Sequence, residues 1–172
     1  MSYTFTKYSP TYISTHKRSL LSSVEYHSDV AREEREKALF SQALSYAQNK
    51  STKLYSLRDD TKQLKGILGF IALSASEVII GETKKPTVLI DFLFVNKKYR
   101  SKTYPQFSDA KISTVLLEFA IATALEVSEL LGVSYLVLYP EGGKENVRLV
   151  EFYKMIGFEF MTKKHEWMYL KI

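Results

Sequence analysis

Cysteine is absent from the 172 residues. That excludes disulfides, a thiolate nucleophile and any zinc site built on sulfur. Histidine occurs three times, at His16, His27 and His165, too few to suggest a histidine-based metal site, and no metal is expected. Proline and glycine are sparse, at four and seven residues. No linker, internal repeat or low-complexity tract is visible. No apolar run approaches the roughly 18 residues of a membrane helix. The opening segment, Met1 to Lys7, has no apolar core of signal-peptide length, so the expectation is a cytoplasmic protein that does not enter a membrane. Three glycine-based motifs are missing as well: the phosphate loop ending in Gly-Lys-Ser/Thr, Gly-x-Gly-x-x-Gly and Gly-x-Ser-x-Gly. Their absence argues against a kinase, a Rossmann dehydrogenase and the common hydrolase fold.

What remains is ordinary globular material, with 45% hydrophobic and 25% charged residues. A chain of this length forms one domain, residues 1–172, and buries roughly 70% of its unfolded surface without staples. Basic residues number 24 and acidic residues 19, leaving a net charge of +5. This favours anionic ligands such as nucleotides, phosphates or RNA without choosing among them, and it also serves solubility.

Periodicity places the elements. Tyr3 to Tyr8 alternates as a first strand, stopped by Pro10. Ser28 or Asp29 caps a helix through Gln48 that stops at Asn49. Within it, Arg32 to Lys37 reads as an exposed face of paired charges. Lys53–Arg58 and Gly66–Leu73 read as strands. Thr87–Val95 is apolar on both faces except at Asp91, as a buried central strand would be. After a polar stretch, Asn96–Ser108, a helix capped by Ser108 or Asp109 runs to Gly132 with Ile112, Val115, Leu116 and Phe119 at helical spacing. Ser134–Tyr139 is a further buried strand. A short helix opened by Gly142-Gly143 stops at Gly157, and Phe158–Ile172 closes as a hairpin turned at Lys163-Lys164. The fold class is α/β, a mixed sheet flanked by helices.

The second half carries a resemblance. Ile90-Asp91-Phe92-Leu93-Phe94-Val95 runs into Asn96-Lys97-Lys98-Tyr99-Arg100. The helix at Ile112–Leu117, the strand Tyr135–Tyr139, Asn146 and the segment Phe152-Tyr153-Lys154-Met155-Ile156-Gly157-Phe158 follow in order. Together, over roughly Gly66 to Phe160, they resemble the GNAT superfamily of acetyl-CoA-dependent N-acetyltransferases. The closing Phe-Tyr-x-x-x-Gly-Phe segment is the most specific part.

The resemblance implies a GNAT-like acyl-CoA N-acyltransferase fold and acetyl-CoA as co-substrate. The pantetheine arm would lie between the strands Thr87–Val95 and Ser134–Tyr139, bonded to main-chain groups of Leu93, Phe94 and Val95. The pyrophosphate would meet the amides at Lys111, Ile112 and Ser113, where a helix N-terminus favours an anion. Tyr153 would be the general acid for the departing thiolate, since a tyrosine hydroxyl with a pKa of about 10 is protonated at neutral pH. Asn146, seven residues earlier, would share its helix face about 10 Å away along the axis and contact the arm. Asp91 is the candidate base, on the premise that burial raises its pKa; Glu77 and Glu82 flank the preceding strand.

The chain departs from the family in one place. The usual loop Arg/Gln-x-x-Gly-x-Gly/Ala would fall on Ser108-Asp109-Ala110-Lys111-Ile112-Ser113, which has no glycine, and Ser101–Phe107 reads as an insertion. Lys97, Lys98, Arg100, Lys102 and Lys111 can supply charge to the phosphates instead. The first reading is therefore an N-acetyltransferase acting on an amine acceptor by direct attack. That acceptor would be a small amine, a protein amine or, as in toxin-type members, aminoacyl-tRNA. The second is a catalytically inactive GNAT-like binding or interaction module. Such folds often form homodimers, and acceptor choice would rest with the helical region Thr11–Asn49 and the closing hairpin.

Overall fold

The structure is a computed structural model that describes residues 3–80, 82–162 and 166–172. The turn expected at Lys163-Lys164 and His165 lie outside them. Elements follow in the order β1 (Tyr3–Lys7), α1 (Pro10–Leu21), α2 (Val30–Gln48), β2 (Lys53–Asp59), β3 (Gly69–Ile80) and β4 (Thr83–Val95). Then come β5 (Thr103–Tyr104), β6 (Ala110–Lys111), α3 (Ile112–Leu131), β7 (Tyr135–Leu138), α4 (Val147–Ile156), β8 (Glu159–Phe160) and β9 (Met168–Lys171). The backbone ladder runs β1-β2-β3-β4-β7-β9-β8, with β5 and β6 forming a separate pair. The β4–β7 pairing is parallel; β1–β2, β2–β3, β7–β9 and β8–β9 are antiparallel. The mixed sheet expected from the sequence is present.

The chain divides into two compact units, residues 1–73 with 92–119, and residues 74–91 with 120–172. In the first, α1 starts where Pro10 was expected only to end a strand. Ser9 accepts from the Tyr12 amide and Pro10 takes the first helical position, where its missing N–H is no loss. Asp29 caps α2 through the Arg32 amide, as expected, and Asn49 ends it. Phe40 and Leu44 of α2 and Ile13 of α1 pack with Leu54, Phe70 and Phe94 in one apolar cluster. Gly69 opens β3 where the Phe94 carbonyl oxygen and Leu116 Cδ1 lie only 2.6 and 2.9 Å from the position a Cβ would take. Gly69→Ala is therefore expected to cost about 2 kcal/mol of stability, read by denaturant unfolding. An unchanged midpoint would show that this contact relaxes freely.

A buried asparagine ties three segments of this unit together. Asn96 is 5% exposed. Its Nδ2 donates to the Ile67 carbonyl at 2.9 Å, and its Oδ1 accepts from the Glu25 and Lys98 amides at 3.2 and 3.3 Å.

In the second unit, Thr87–Ile90 of β4 register against Tyr135–Leu138 of β7. Helix α4 is bounded by Asn146, which accepts from the Leu149 amide, and by Gly157 at φ 111°, a left-handed stop that glycine supplies without strain. Among the described residues no helix is long and apolar enough to cross a membrane.

Candidate functional site

Tyr153 sits on the inner face of α4 and is 6% exposed. Its ring packs edge-on against Phe158 at 5.9 Å and beside Phe152 at 5.5 Å. Burial, with the negative charge of Glu141 added to it, pushes its hydroxyl up to about 12. The phenol therefore stays protonated across the physiological range.

Asn146 differs from the expectation. It does not share a helix face with Tyr153, because it precedes the helix and caps it. Its Nδ2 donates to the Glu141 carbonyl at 2.9 Å and its Oδ1 accepts from the Leu149 amide. Both ends of the side-chain amide are thus used to start α4. Asp91 differs too. It is exposed, so the premise that burial raises its pKa falls away. Position 91 lies just past the end of the β4–β7 register, on the face of the strand opposite buried Ile90. Glu77 pairs with Lys84 at 3.4 Å on the surface.

In the first unit, β4 continues beyond that register to Val95. The Asn96 amide bonds the Leu68 carbonyl, 2.9 Å away on the β3 side. Peptide groups alternate along a strand, so those of Leu93 and Val95 face the opposite edge. The Phe94 carbonyl turns instead toward Gly69. Of the three main-chain positions expected to hold a pantetheine arm, two are on the outer edge and Phe94 is not.

Arg100 is committed elsewhere. Its Nε donates to the Val95 carbonyl at 2.8 Å, and its guanidinium forks onto both oxygens of Glu36 at 2.7 and 3.1 Å. It also stacks 5.0 Å over the Phe94 ring. Burial alone would raise the Glu36 carboxyl, but the Arg100 bonds and charge and the His27 amide outweigh it and hold the group below its usual value. The charge run was expected to be wholly exposed. Glu33 and Lys37 are such a surface pair, at 2.5 Å, whereas the Glu36 side chain is only 12% exposed.

The expected cap of α3 also moves. The helix begins at Ile112, while Ser108 and Asp109 are both left-handed, at φ 55° and 59°. They turn the chain so that Ala110–Lys111 pairs back onto Thr103–Tyr104. Asp109 therefore stands in a hairpin turn and not at the helix start, where Lys111, buried Ile112 and half-buried Ser113 follow one another. Lys97, Lys98, Lys102 and Lys111 are exposed.

A groove of about 760 Å³ opens beside the α1–α2 connection, lined by Tyr26, His27, Glu33, Lys37 and Lys97 among others. Burial, then the charges of Glu36 and Glu33, push Tyr26 up to about 12.

No protein-family model and no curated relative matches the sequence. Solved structures do. One is a tyrosine-to-phenylalanine mutant of the AtaT toxin bound to the C-terminus of the antitoxin AtaR and acetyl-CoA. It matches with a TM-score of 0.69 and 14% identity, over 99% of this chain and 94% of that one. AtaT complexed with acetyl-methionyl-tRNAfMet gives 0.68 and 17%, over 98% and 94%. The KacTA–DNA complex gives 0.63 and 15%, over 98% and 93%. The fold is GNAT-like. The arrangement that the motif order of the second half implied therefore extends to the first half, where the sequence carried no motif. Within this GNAT-like fold Tyr153 stands on the last helix, and the outer edge of β4 and the start of α3 lie in the first unit.

Proposed function

We propose that the protein is an acetyl-CoA-dependent N-acetyltransferase whose acceptor is the amino group of an aminoacyl-tRNA. The observation that carries this reading is the whole-chain likeness to a toxin solved both with acetyl-CoA and with acetyl-methionyl-tRNAfMet. The chain's own groups suit the task. The outward peptide groups of Leu93 and the Val95 N–H suit an extended amide-bearing arm, the Val95 carbonyl being taken by Arg100, and the amides at Lys111, Ile112 and Ser113 suit a pyrophosphate. The exposed lysines around them supply positive charge. Arg100 acts indirectly, by holding the end of β4 to α2.

Bound acetyl-CoA supplies an acetyl group on a thioester. Tyr153 holds the proton that the departing thiolate takes, and the solvent afterwards restores it. Asn146 fixes the start of α4 and so the position of Tyr153. Asp91, exposed to water, is the carboxylate assigned to receive the proton lost by the attacking amine. No covalent enzyme intermediate is needed, in keeping with a chain that has no cysteine.

Calorimetry with acetyl-CoA, followed by acetyl transfer to charged tRNA and to small amines, tests the reading. Micromolar cofactor binding is expected, with transfer to charged tRNA that weakens steeply as salt rises. Absence of binding at millimolar acetyl-CoA would overturn it in favour of an interaction module. Transfer to small amines alone would overturn the tRNA acceptor.

A further inference from the structure

The carboxyl end of β7 carries side chains to which the roles above assign nothing. The β7–β9 register pairs Leu138 with Met168. The next facing pair is Tyr139 and Trp167, on the same face as Tyr135 and Tyr169, which meet edge-on at 5.6 Å. Tyr139 and Trp167 meet edge-on at 5.5 Å and remain 45% and 38% exposed. Glu166 precedes Trp167 in the chain, and its carboxylate accepts from the Tyr139 hydroxyl at 2.5 Å. The carboxyl group lies over Gly143, where a Cβ would come within 2.6–2.7 Å of it. Gly143 has φ 61°, so a backbone conformation that suits glycine and the absence of a side chain both make room for the acid. Tyr139 and Glu141 flank Pro140, so the segment leaving β7 carries both this set and the charge that Tyr153 feels.

A carboxylate pinned by a phenol, next to a pair of part-exposed aromatic rings, matches a particular chemistry. The carboxylate pairs with an ammonium, the ring faces attract the same cation, and the ring bodies cover apolar surface beside it. We propose that Tyr139, Glu166 and Trp167 receive the acceptor, holding its primary ammonium on Glu166 and the apolar group next to that amine on the two rings. The inference rests on the acetyltransferase reading and adds a substrate preference to it, for amines carried beside a large apolar side chain.

Trp167 is the single tryptophan of the chain, so its fluorescence reports this place directly. The probes are methioninamide, glycinamide, which lacks the apolar group, and N-acetylmethioninamide, which lacks the charge. Methioninamide is expected to give a saturable change, and glycinamide to bind at least about tenfold more weakly, as loss of a buried apolar side chain implies. N-acetylmethioninamide should give none. Glu166→Gln and Tyr139→Phe should each weaken methioninamide by about tenfold or more, the scale of a lost charge-assisted bond. Their acetyl-CoA heats and circular dichroism should match those of the wild type. Equal binding of the acetylated probe, or wild-type affinity in both variants, would overturn the proposal. An acetyl-CoA heat without any amine response would sink the acceptor set and leave the acetyltransferase reading standing. An amine response without an acetyl-CoA heat would do the reverse.

Discussion

Tyr153→Phe is expected to lower kcat for acetyl transfer by about 10²- to 10³-fold, the usual scale for loss of a positioned general acid. The Kd for acetyl-CoA should stay within about threefold, because the ring and its packing against Phe158 are kept. The reason is the departing thiolate. It must acquire a proton, and the phenol, pushed up to about 12 by burial and by Glu141, still carries one at every physiological pH. The same shift sets the pH dependence. A group raised in the folded state stabilises fully below the unfolded value near 10 and loses that contribution as pH climbs toward about 12. Activity should therefore show no basic limb from Tyr153 below pH of about 11. Unfolding stability should fall through the interval from about 10 to 12, less steeply in Tyr153→Phe. Steady-state kinetics and denaturant titrations read both. A Phe variant with wild-type kcat would leave Tyr153 as a packing residue.

Breaking the Glu36–Arg100 pair is expected to give the largest loss of stability, about 3 kcal/mol for Arg100→Ala, because it leaves a largely buried carboxylate without its cation. Glu36→Gln should cost somewhat less, about 2 kcal/mol, since the amide can still accept from the His27 amide. The carboxyl is held below its usual value, so its contribution is present above the ordinary glutamate range and disappears as pH falls through the lowered folded value. Wild type and Glu36→Gln should thus converge in stability at acid pH. Urea unfolding of both single variants and the double variant, at neutral and acid pH, measures this. Losses under about 1 kcal/mol would place the pair with ordinary surface ion pairs. The two variants also separate structure from cofactor binding. If Arg100 gripped the cofactor's phosphates, its loss would weaken acetyl-CoA binding far more than Glu36→Gln does.

The contrast between these two sites shows what a single sequence can convey. The placing of Tyr153 on a short helix was readable because its cues are local: a helical spacing, a glycine four residues on that is left-handed, and a phenylalanine after it that packs onto the ring. The long third helix and its stop at Gly132 were readable for the same reason. Glu36 was not, because nothing within the run Arg32–Lys37 distinguishes the acid that faces Lys37 from the one that meets an arginine 64 residues away. Asp91 shows the opposite failure. An apolar run on both sides suggested burial, yet exposure is decided by where the neighbouring strand ends, which the run itself does not encode. The hairpin at Thr103–Lys111 was hidden because its turn uses Ser108 and Asp109 in a conformation for which glycine is the usual signal. The acceptor set did leave a trace. Tyr135 and Tyr139, four residues apart, and Trp167 and Tyr169, two apart, each fall on one strand face, but only the register brings Trp167 opposite Tyr139.

The Asn96 amide has a consequence for how the first unit comes apart. Its three side-chain partners belong to the α1–α2 connection, the approach to β3 and the segment leaving β4. One planar group satisfies all three, so a segment that swings away gives up its own bond to a buried side chain and leaves Asn96 short of a partner. Local opening at this place is therefore penalised for each of the three strips of backbone, and the side chain couples them.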